Sequence, residues 1–229
     1  MDAVTIITGP RSGAGHLFAL LRNVEAVAPR DGLFAADAAD ATARIDAAET
    51  EASAAHQSLL VLKATNALPR DMVERELLGR PGMRGIVVVR RQIDAYVSLA
   101  KATALGAWRD TDLTNVKVKL DPEHFATWLR DQEDWYGHWQ EWLLRRSFPV
   151  PILRYETHLS VPPETALRRF ASAAAQVGLT VRVPATLAHP GLVKQDRETA
   201  AAFRVKNWSD FSKALIDRGI EKRAFGYPI

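Results

Sequence analysis

The sequence predicts an α/β fold, a three-layer arrangement in which a parallel sheet is flanked by helices. Four short segments are rich in β-branched residues and almost continuously apolar, as strands buried on both faces are. These segments are Ala3 to Thr8, Ser58 to Lys63, Gly85 to Arg90 and Val150 to Tyr155. Helical patterns lie between them, and strands separated by helices of this length imply right-handed crossovers. Because the chain of 229 residues has no internal repeat and no flexible linker, we expect residues 1–229 to form a single domain.

The helical patterns are amphipathic and follow the predicted strands. They occupy Gly15 to Arg22, Ala38 to about Ala55, Ile93 to Leu105, Pro122 to Arg146 and Pro163 to Val177. The longest pattern is the clearest, since its tryptophans recur with other apolar residues every three or four positions and its charges fall mostly on the opposite side. We interpret this tryptophan stripe as core packing rather than as a ligand-binding surface.

Composition and charge exclude several classes of function. The chain contains no cysteine, which rules out disulfides, a thiolate nucleophile and any Cys-ligated metal. Its 30 basic and 27 acidic side chains are scattered, so a net charge of +3 suits a few phosphate or sulfate groups better than a nucleic acid. No secretory leader is recognisable, and no apolar run approaches the roughly 18 residues of a membrane span. We expect a soluble, cytoplasmic protein, and the sequence leaves its oligomeric state open.

A glycine-rich turn, TGPRSGAGHL at residues 8–17, joins the first strand to the first helix. Such a turn places several backbone N–H groups and the positive end of a helix around one anion. It therefore predicts a phosphate-binding loop, although a bare tight turn has the same glycine content.

The loop differs from a Walker A motif at the positions that carry its chemistry. A Walker A loop needs a lysine for the β and γ phosphates and a hydroxyl for Mg²⁺. Counted from Gly9, those last positions hold Ala14, Gly15 and His16, so ordinary ATP or GTP hydrolysis is disfavoured. Arg11 remains within the loop, where its guanidinium can clamp a phosphate without a metal ion.

A second candidate anion site follows the third predicted strand. Arg90 ends that strand, and Ser98 lies eight residues further, where its hydroxyl can point back toward the strand end. Asp94, Ser98 and Lys101 share one helix face by their spacing of four and three residues. Taken alone, Arg90 and Asp94 are explained equally well as a helix cap and an ion pair.

These two motifs resemble those of the PAPS-dependent sulfotransferases, in particular the bacterial type. The loop residues 10–13 match the family pattern P-R-S-G, and Leu17 fits its apolar position, whereas residues 14–16 replace positions that usually include a hydroxyl. Arg90, Asp94 and Ser98 match the pattern R-x-P-x-D-x-x-x-S, with Gln92 at the proline position. Residues 151–159 are similar to a strand that ends in R-Y-E-D-L, and residues 194–211 to the segment that closes over the 3′-phosphate.

The resemblance implies a P-loop NTPase-like sulfotransferase fold and a metal-independent reaction. In it, a sulfonyl group moves from 3′-phosphoadenosine 5′-phosphosulfate (PAPS) to a hydroxyl or amine, leaving adenosine 3′,5′-bisphosphate (PAP). The implied cofactor-binding residues are Arg11, Ser12, Gly13, Ala14, Gly15, His16, Arg90, Ser98, Lys194, Arg204 and Lys206.

Catalytic roles are less determined by the motifs. Arg11 would stabilise charge on the leaving oxygen, while the general base is either Asp31, at the family-like distance from the loop, or His16, which titrates near neutrality. By the same resemblance Lys63 would face the sulfonate, and Tyr155 and Glu156 are interpreted as structural residues of the strand end.

Two other functions stay open at the level of sequence: a metal-dependent nucleotide or metabolite kinase, and a catalytically degenerate nucleotide-binding protein. The acceptor is unidentified, with a small metabolite and a glycan both compatible. Its pocket is expected between Gly32 and Gln57 and between Leu105 and Leu120, where Trp108, Lys117 and Lys119 suggest a sugar or an anionic group.

Overall fold

The computed structural model describes residues 1–34, 40–108, 111–188, 191–192 and 194–229, and it contains a five-stranded parallel sheet. The strands are β1 (Asp2–Thr8), β2 (Val27–Arg30), β3 (Leu59–Thr65), β4 (Met83–Val89) and β5 (Ile152–Arg154). Their order is β2-β3-β1-β4-β5, and every neighbouring pair is parallel. All carboxyl ends therefore lie at one edge of the sheet, with the end of β1 at its centre. The predicted α/β fold with a parallel sheet is confirmed.

Helices account for most of the remaining described chain. They are α1 (Ala14–Leu21), α2 (Ala41–Ala54), α3 (Arg70–Met72), α4 (Gln92–Leu105), α5 (Pro122–Arg145), α6 (Pro163–Gln176), α7 (Ala201–Arg204), α8 (Trp208–Asp217) and α9 (Glu221–Phe225), with π-helical segments at Val73–Leu78 and Tyr155–Leu159. The five predicted helices are present within a few residues of their expected bounds, except that Ala38 and Ala39 lie outside the described residues. Over the described ranges, no helix is long and apolar enough to cross a membrane.

Two apolar layers cover the two faces of the sheet, because alternate residues of each strand point to opposite sides. On one face, α1 and α6 pack against residues such as Val4 and Ile6. On the other, α2, the first π-helical segment and the second half of α5 pack against residues such as Ile7 and Leu62. Trp135, Trp139 and Trp142 are buried in this second layer, which confirms the interpretation of that part of the stripe as core.

Strand β2 is not among the predicted strands, and β5 is shorter than predicted. Both are edge strands, with four and three residues. Pro29 lies within β2, where a residue without an N–H is tolerated only because one side of the strand is unpaired. At the other edge the strand ends at Arg154, since Tyr155 begins a π-helical turn.

A third apolar cluster lies beside the sheet and joins α4 to the end of the chain. Tyr96 from α4 and Phe125 from α5 pack with Phe211 and Leu215 from α8. This cluster packs α7 and the residues after it alongside α4, next to the carboxyl edge of the sheet.

Two buried ion pairs attach Asp196, which precedes α7, and Arg204, the last residue of α7, to α4. Lys101, whose side chain has no exposed surface, donates through Nζ to Asp196 Oδ2 at 2.6 Å and to the Leu113 carbonyl at 2.9 Å. Arg204 forms an ion pair with Asp94, and both side chains are buried. Removing one partner of such a pair leaves the other charge uncompensated in a low-dielectric interior.

We predict that Lys101→Met lowers the free energy of unfolding by about 3–5 kcal/mol, because the buried Asp196 carboxylate then has no counter-charge. Urea denaturation followed by circular dichroism measures the change. The double variant Lys101→Met with Asp196→Leu should recover most of the loss, since it removes both charges.

Lys213→Met is the matched control, because the Lys213–Asp217 pair lies on the exposed side of α8. It should alter stability by no more than a surface ion pair contributes. Equal effects of Lys101→Met and Lys213→Met would show that the buried pair is not a structural anchor.

Candidate anion-binding site

The glycine-rich loop joins β1 to α1 at the centre of the carboxyl edge. Two of its residues, Arg11 at φ 58° and Gly13 at φ 93°, adopt left-handed backbone conformations that turn the chain sharply into the helix. The first bond of α1 runs from Leu17 N–H to the Gly13 carbonyl at 3.1 Å. No described side chain caps the helix. Its first backbone N–H groups are therefore available to an anion.

Tyr136 of α5 anchors the loop from beneath. Its hydroxyl donates to the Val88 carbonyl at 2.8 Å, accepts the Gly9 N–H at 2.5 Å and lies 3.2 Å from Ser12 Oγ. Burial raises the pKa of Tyr136, so the phenol stays neutral. A Cβ at Gly9 would overlap Gln132 Oε1, so a larger residue here would require the Gln132 side chain to move. The loop thus has a rigid polar floor.

Tyr155 closes the side of the loop that faces β5. Its ring lies directly against Gly13, where any Cβ would overlap the ring. The Arg90 guanidinium lies above the same ring, 4.4 Å from its centroid, in a cation–π contact. Tyr155 is therefore part of the wall of the site, in keeping with its predicted structural role.

The Arg11 side chain is held by three neutral acceptors from three separate segments. Nε donates to Ser98 Oγ at 3.0 Å, Nη1 to the Trp108 carbonyl at 3.0 Å and Nη2 to Gln195 Oε1 at 2.6 Å. Burial, with a further contribution from the charge of Arg90, lowers the pKa of Arg11. The positive charge of Arg11 is thus partly desolvated and repelled by a neighbour, so a bound anion would stabilise it.

Arg90 contributes a second cation at the same place. Its Nη1 donates to the Arg11 carbonyl at 3.0 Å, while its Nε is buried without a hydrogen-bond partner among the described residues. Within the described chain, neither Arg11 nor Arg90 forms an ion pair with a carboxylate. Two adjacent arginines that lack a counter-charge indicate a site for an anion.

The loop and these arginines line a cavity of about 550 Å³, which is within the usual size range of small-molecule sites. Lys63 at the end of β3 and the exposed Lys194 add further positive charge to its wall. Asp196 is the one carboxylate among the described lining residues, and it is already bound by Lys101. The cavity is accordingly cationic.

His16 lies at the third position of α1 and also lines the cavity. Its Nδ1 accepts a hydrogen bond from the Leu192 N–H at 3.1 Å. Burial lowers the pKa of His16, which favours the neutral imidazole at neutral pH. The ring therefore connects the loop to the segment that precedes α7.

Most of the predicted site residues meet in this cavity. The lining residues include Arg11, Ser12, Gly13, Ala14, Gly15, His16, Arg90, Ser98 and Lys194. Trp108 from the expected acceptor region lines it as well, whereas Lys117 and Lys119 do not.

Three predicted site residues lie elsewhere. Arg204 does not line the cavity, since its guanidinium binds Asp94 in the buried ion pair. Lys206 is exposed, and its backbone N–H donates to the Val118 carbonyl at 2.7 Å. Asp31 follows β2, which is separated from β1 by β3, and it is not among the lining residues. The structure therefore gives none of the three a contact with this site.

Two residues reach the site from distant segments with little signal in the sequence. Tyr136 lies within the apolar stripe of the longest helical pattern, where its hydroxyl among tryptophans is the only sequence signal. Gln195 binds Arg11 although 184 positions separate them, and nothing local to the sequence indicates that contact.

Comparison with known proteins does not assign the chain to a family. No family model matches its sequence, and no curated protein is significantly similar to it. The function of the site is therefore inferred from its own residues.

We predict that Tyr136→Phe lowers the free energy of unfolding by about 1–3 kcal/mol, because the Gly9 N–H, the Ser12 hydroxyl and the Val88 carbonyl all lose a buried partner. It should also reduce the rise in melting temperature that inorganic sulfate produces, since the loop loses its floor. Differential scanning fluorimetry with and without sulfate measures both effects.

Tyr96→Phe provides the matched control. The Tyr96 hydroxyl bonds to His124 Nδ1 at 2.6 Å, away from the loop. Its removal should leave the sulfate response unchanged. An equal sulfate response in both variants and in the parent protein would mean that Tyr136 does not organise the anion site.

Proposed function

We propose that this protein is a PAPS-dependent sulfotransferase that transfers a sulfonyl group to a hydroxyl or amine of a small-molecule or glycan acceptor. The observation that carries the proposal is the pairing of Arg11 and Arg90, without a carboxylate partner in the described chain, beside the open start of α1. Such a site has the charge and the donors to bind a polyanion.

The arrangement favours a ligand with anionic groups at two positions. One group would be held by the backbone N–H groups of residues 14–16 and by Arg11. The other would be held by Arg90 and Ser98, with Lys194 also lining the cavity. A nucleotide phosphorylated at both the 3′ and 5′ positions would engage both groups of donors, which is why we favour PAPS over a nucleotide with one phosphate chain.

The position of the loop agrees with the finer fold that we propose. A glycine-rich turn between the central parallel strand and the following helix is the supersecondary arrangement of P-loop proteins. Because the lysine and the magnesium-binding hydroxyl of a Walker A loop are missing, we propose the sulfotransferase variant of this fold rather than a kinase.

The bound donor would supply a sulfonyl group attached to its 5′-phosphate. The acceptor oxygen or nitrogen forms a bond to sulfur, the bond between sulfur and the bridging oxygen breaks, and the acceptor proton passes to a base. Arg11 and the loop N–H groups would stabilise the negative charge that develops on the bridging oxygen. Arg11 is better suited to this electrostatic role than to proton donation, because a guanidinium does not deprotonate in proteins.

Arg11 can bind a phosphate oxygen through its two remaining N–H groups or by exchanging a partner, because its three hydrogen bonds use three of the five guanidinium donors. Its present partners Gln195 Oε1, Ser98 Oγ and the Trp108 carbonyl are all neutral, and a hydrogen bond to a phosphate is about twice as strong as one to a neutral oxygen. Replacement of at least one neutral acceptor by a phosphate oxygen is therefore favourable.

We predict that PAP binds the purified protein in EDTA with micromolar affinity and that ATP with Mg²⁺ binds much more weakly. Arg11→Ala and Arg90→Ala should each weaken PAP binding by about ten- to a hundredfold, since a charge-assisted hydrogen bond contributes about 1.5–3 kcal/mol. Isothermal titration calorimetry measures each affinity.

Arg130→Ala, on the exposed side of α5, is the control and should bind PAP normally. Unchanged PAP affinity in both cavity variants would remove the basis of the proposal. Preference for ATP with Mg²⁺ would favour a kinase, and binding of neither nucleotide would contradict a nucleotide site altogether.

A further inference from the structure

The His16 imidazole has one nitrogen engaged by the protein and lies against the anion-binding cavity. Its Nδ1 accepts the Leu192 N–H at 3.1 Å, and the residue lines the cavity together with Ala14 and Gly15 of the same helical turn. The loop position that it occupies is the one where a Walker A motif carries its magnesium-binding hydroxyl.

The hydrogen bond from Leu192 determines which tautomer is present. A nitrogen that accepts a hydrogen bond carries no proton, and a neutral imidazole has a proton on one nitrogen only. The proton of neutral His16 is therefore on Nε2. Burial also lowers the pKa of His16, so the neutral form persists at neutral pH.

Close packing by Gly191 holds the ring in this orientation. Gly191 has a φ of +84°, and a Cβ at this position would lie 2.6 Å from His16 Cε1 and 2.8 Å from Leu20 Cδ2. Only a glycine fits this combination of backbone conformation and contact. The backbone of residues 191–192 thus covers one edge of the imidazole and leaves Nε2 as its remaining polar atom.

The geometry points to His16 as a specificity-determining residue that donates, through Nε2–H, to the anionic group bound at the start of α1. This inference rests on the proposed function, in which that group is the 5′-phosphate side of the donor. His16 would replace the hydroxyl of related loops by a direct N–H donor, so the loop selects a tetrahedral oxyanion and needs no bridging metal ion. In this arrangement Nε2 donates to the anion and Nδ1 accepts from Leu192, so neither nitrogen has a free lone pair. His16 therefore cannot take the proton of the sulfonyl acceptor, and we do not assign it the role of general base.

The same ring also connects anion binding to the segment that carries Lys194 and Gln195. Leu192 binds one side of the imidazole, and the bound oxyanion would contact the other. Two substitutions distinguish these contacts, because each places a polar atom near the position of only one ring nitrogen. Asn places a polar atom near the position of Nδ1, and Gln places one near the position of Nε2.

The test compares His16→Asn and His16→Gln by calorimetry with two probes, PAP and adenosine 3′-monophosphate, which lacks the 5′ group. His16→Asn should lose about tenfold in affinity for PAP, as expected for one charge-assisted hydrogen bond, and little for the monophosphate. His16→Gln should retain most of the preference of the parent protein for PAP. His56→Asn is the matched control, since exposed His56 has a φ of 58° that Asn tolerates well.

Three results would overturn the inference. One is an unchanged preference for PAP in His16→Asn, and another is an equal loss for both probes, which indicates a purely structural role. The third is a preference for PAP in His16→Gln that is no higher than in His16→Asn, which would assign the effect to the Leu192 contact.

Failure of the proposed function gives a different result. If the parent protein binds neither nucleotide, the sulfotransferase proposal fails, and the His16 inference is then decided with inorganic sulfate. Nitrogen-15 NMR of the histidine side chains should show His16 as the Nε2–H tautomer, with its Nε2 signal shifted by sulfate. The opposite tautomer, or no shift at saturating sulfate, would overturn the inference by itself.

Discussion

The positive charge of Arg11 is the constraint on which the rest of the site depends. Its guanidinium lies partly buried beside a second arginine and is bonded to a hydroxyl, a carbonyl and an amide oxygen. None of these neutral acceptors compensates a full charge, and within the described chain no carboxylate forms an ion pair with Arg11. An anion at this point would supply the missing compensation, which is the physical reason for interpreting the cavity as a polyanion site.

One face of α4 makes three contacts that hold the site and the neighbouring segments in place. Asp94 binds Arg204, Ser98 binds Arg11, and Lys101 binds Asp196. The face that carries Ser98, the hydrogen-bond partner of Arg11, therefore also carries the two buried ion pairs that hold the segment before α8. Arg204, which resembles a cofactor-binding residue in the sequence, forms one of these ion pairs and does not line the cavity. The positive charge of Arg204 is compensated by Asp94 in this buried ion pair.

The loop itself is supported from both sides of the sheet. Tyr136 reaches it from α5 on one face, and His16 and Leu192 join it to the later segment at the cavity. Glycines occur where these supports approach the backbone, at Gly9, Gly13 and Gly191. The spacing of glycines in this chain thus reflects close approaches to specific side chains as much as the turn geometry of an anion-binding loop.

The sequence by itself determined the parallel α/β fold, the five principal helices and the position of the glycine-rich loop, because apolar periodicity and glycine-rich turns act over short ranges of chain. The sequence also placed Arg90 and Ser98 at the carboxyl edge of the sheet, because the end of β4 determines the position of Arg90 and the pitch of α4 determines that of Ser98. Only the tertiary structure decided that Arg204 pairs with Asp94, that Asp31 lies two strands away from the loop, and that Tyr136 and Gln195 complete the site. These contacts join residues far apart in the chain, and their partners are chosen by packing and charge compensation that no local pattern encodes.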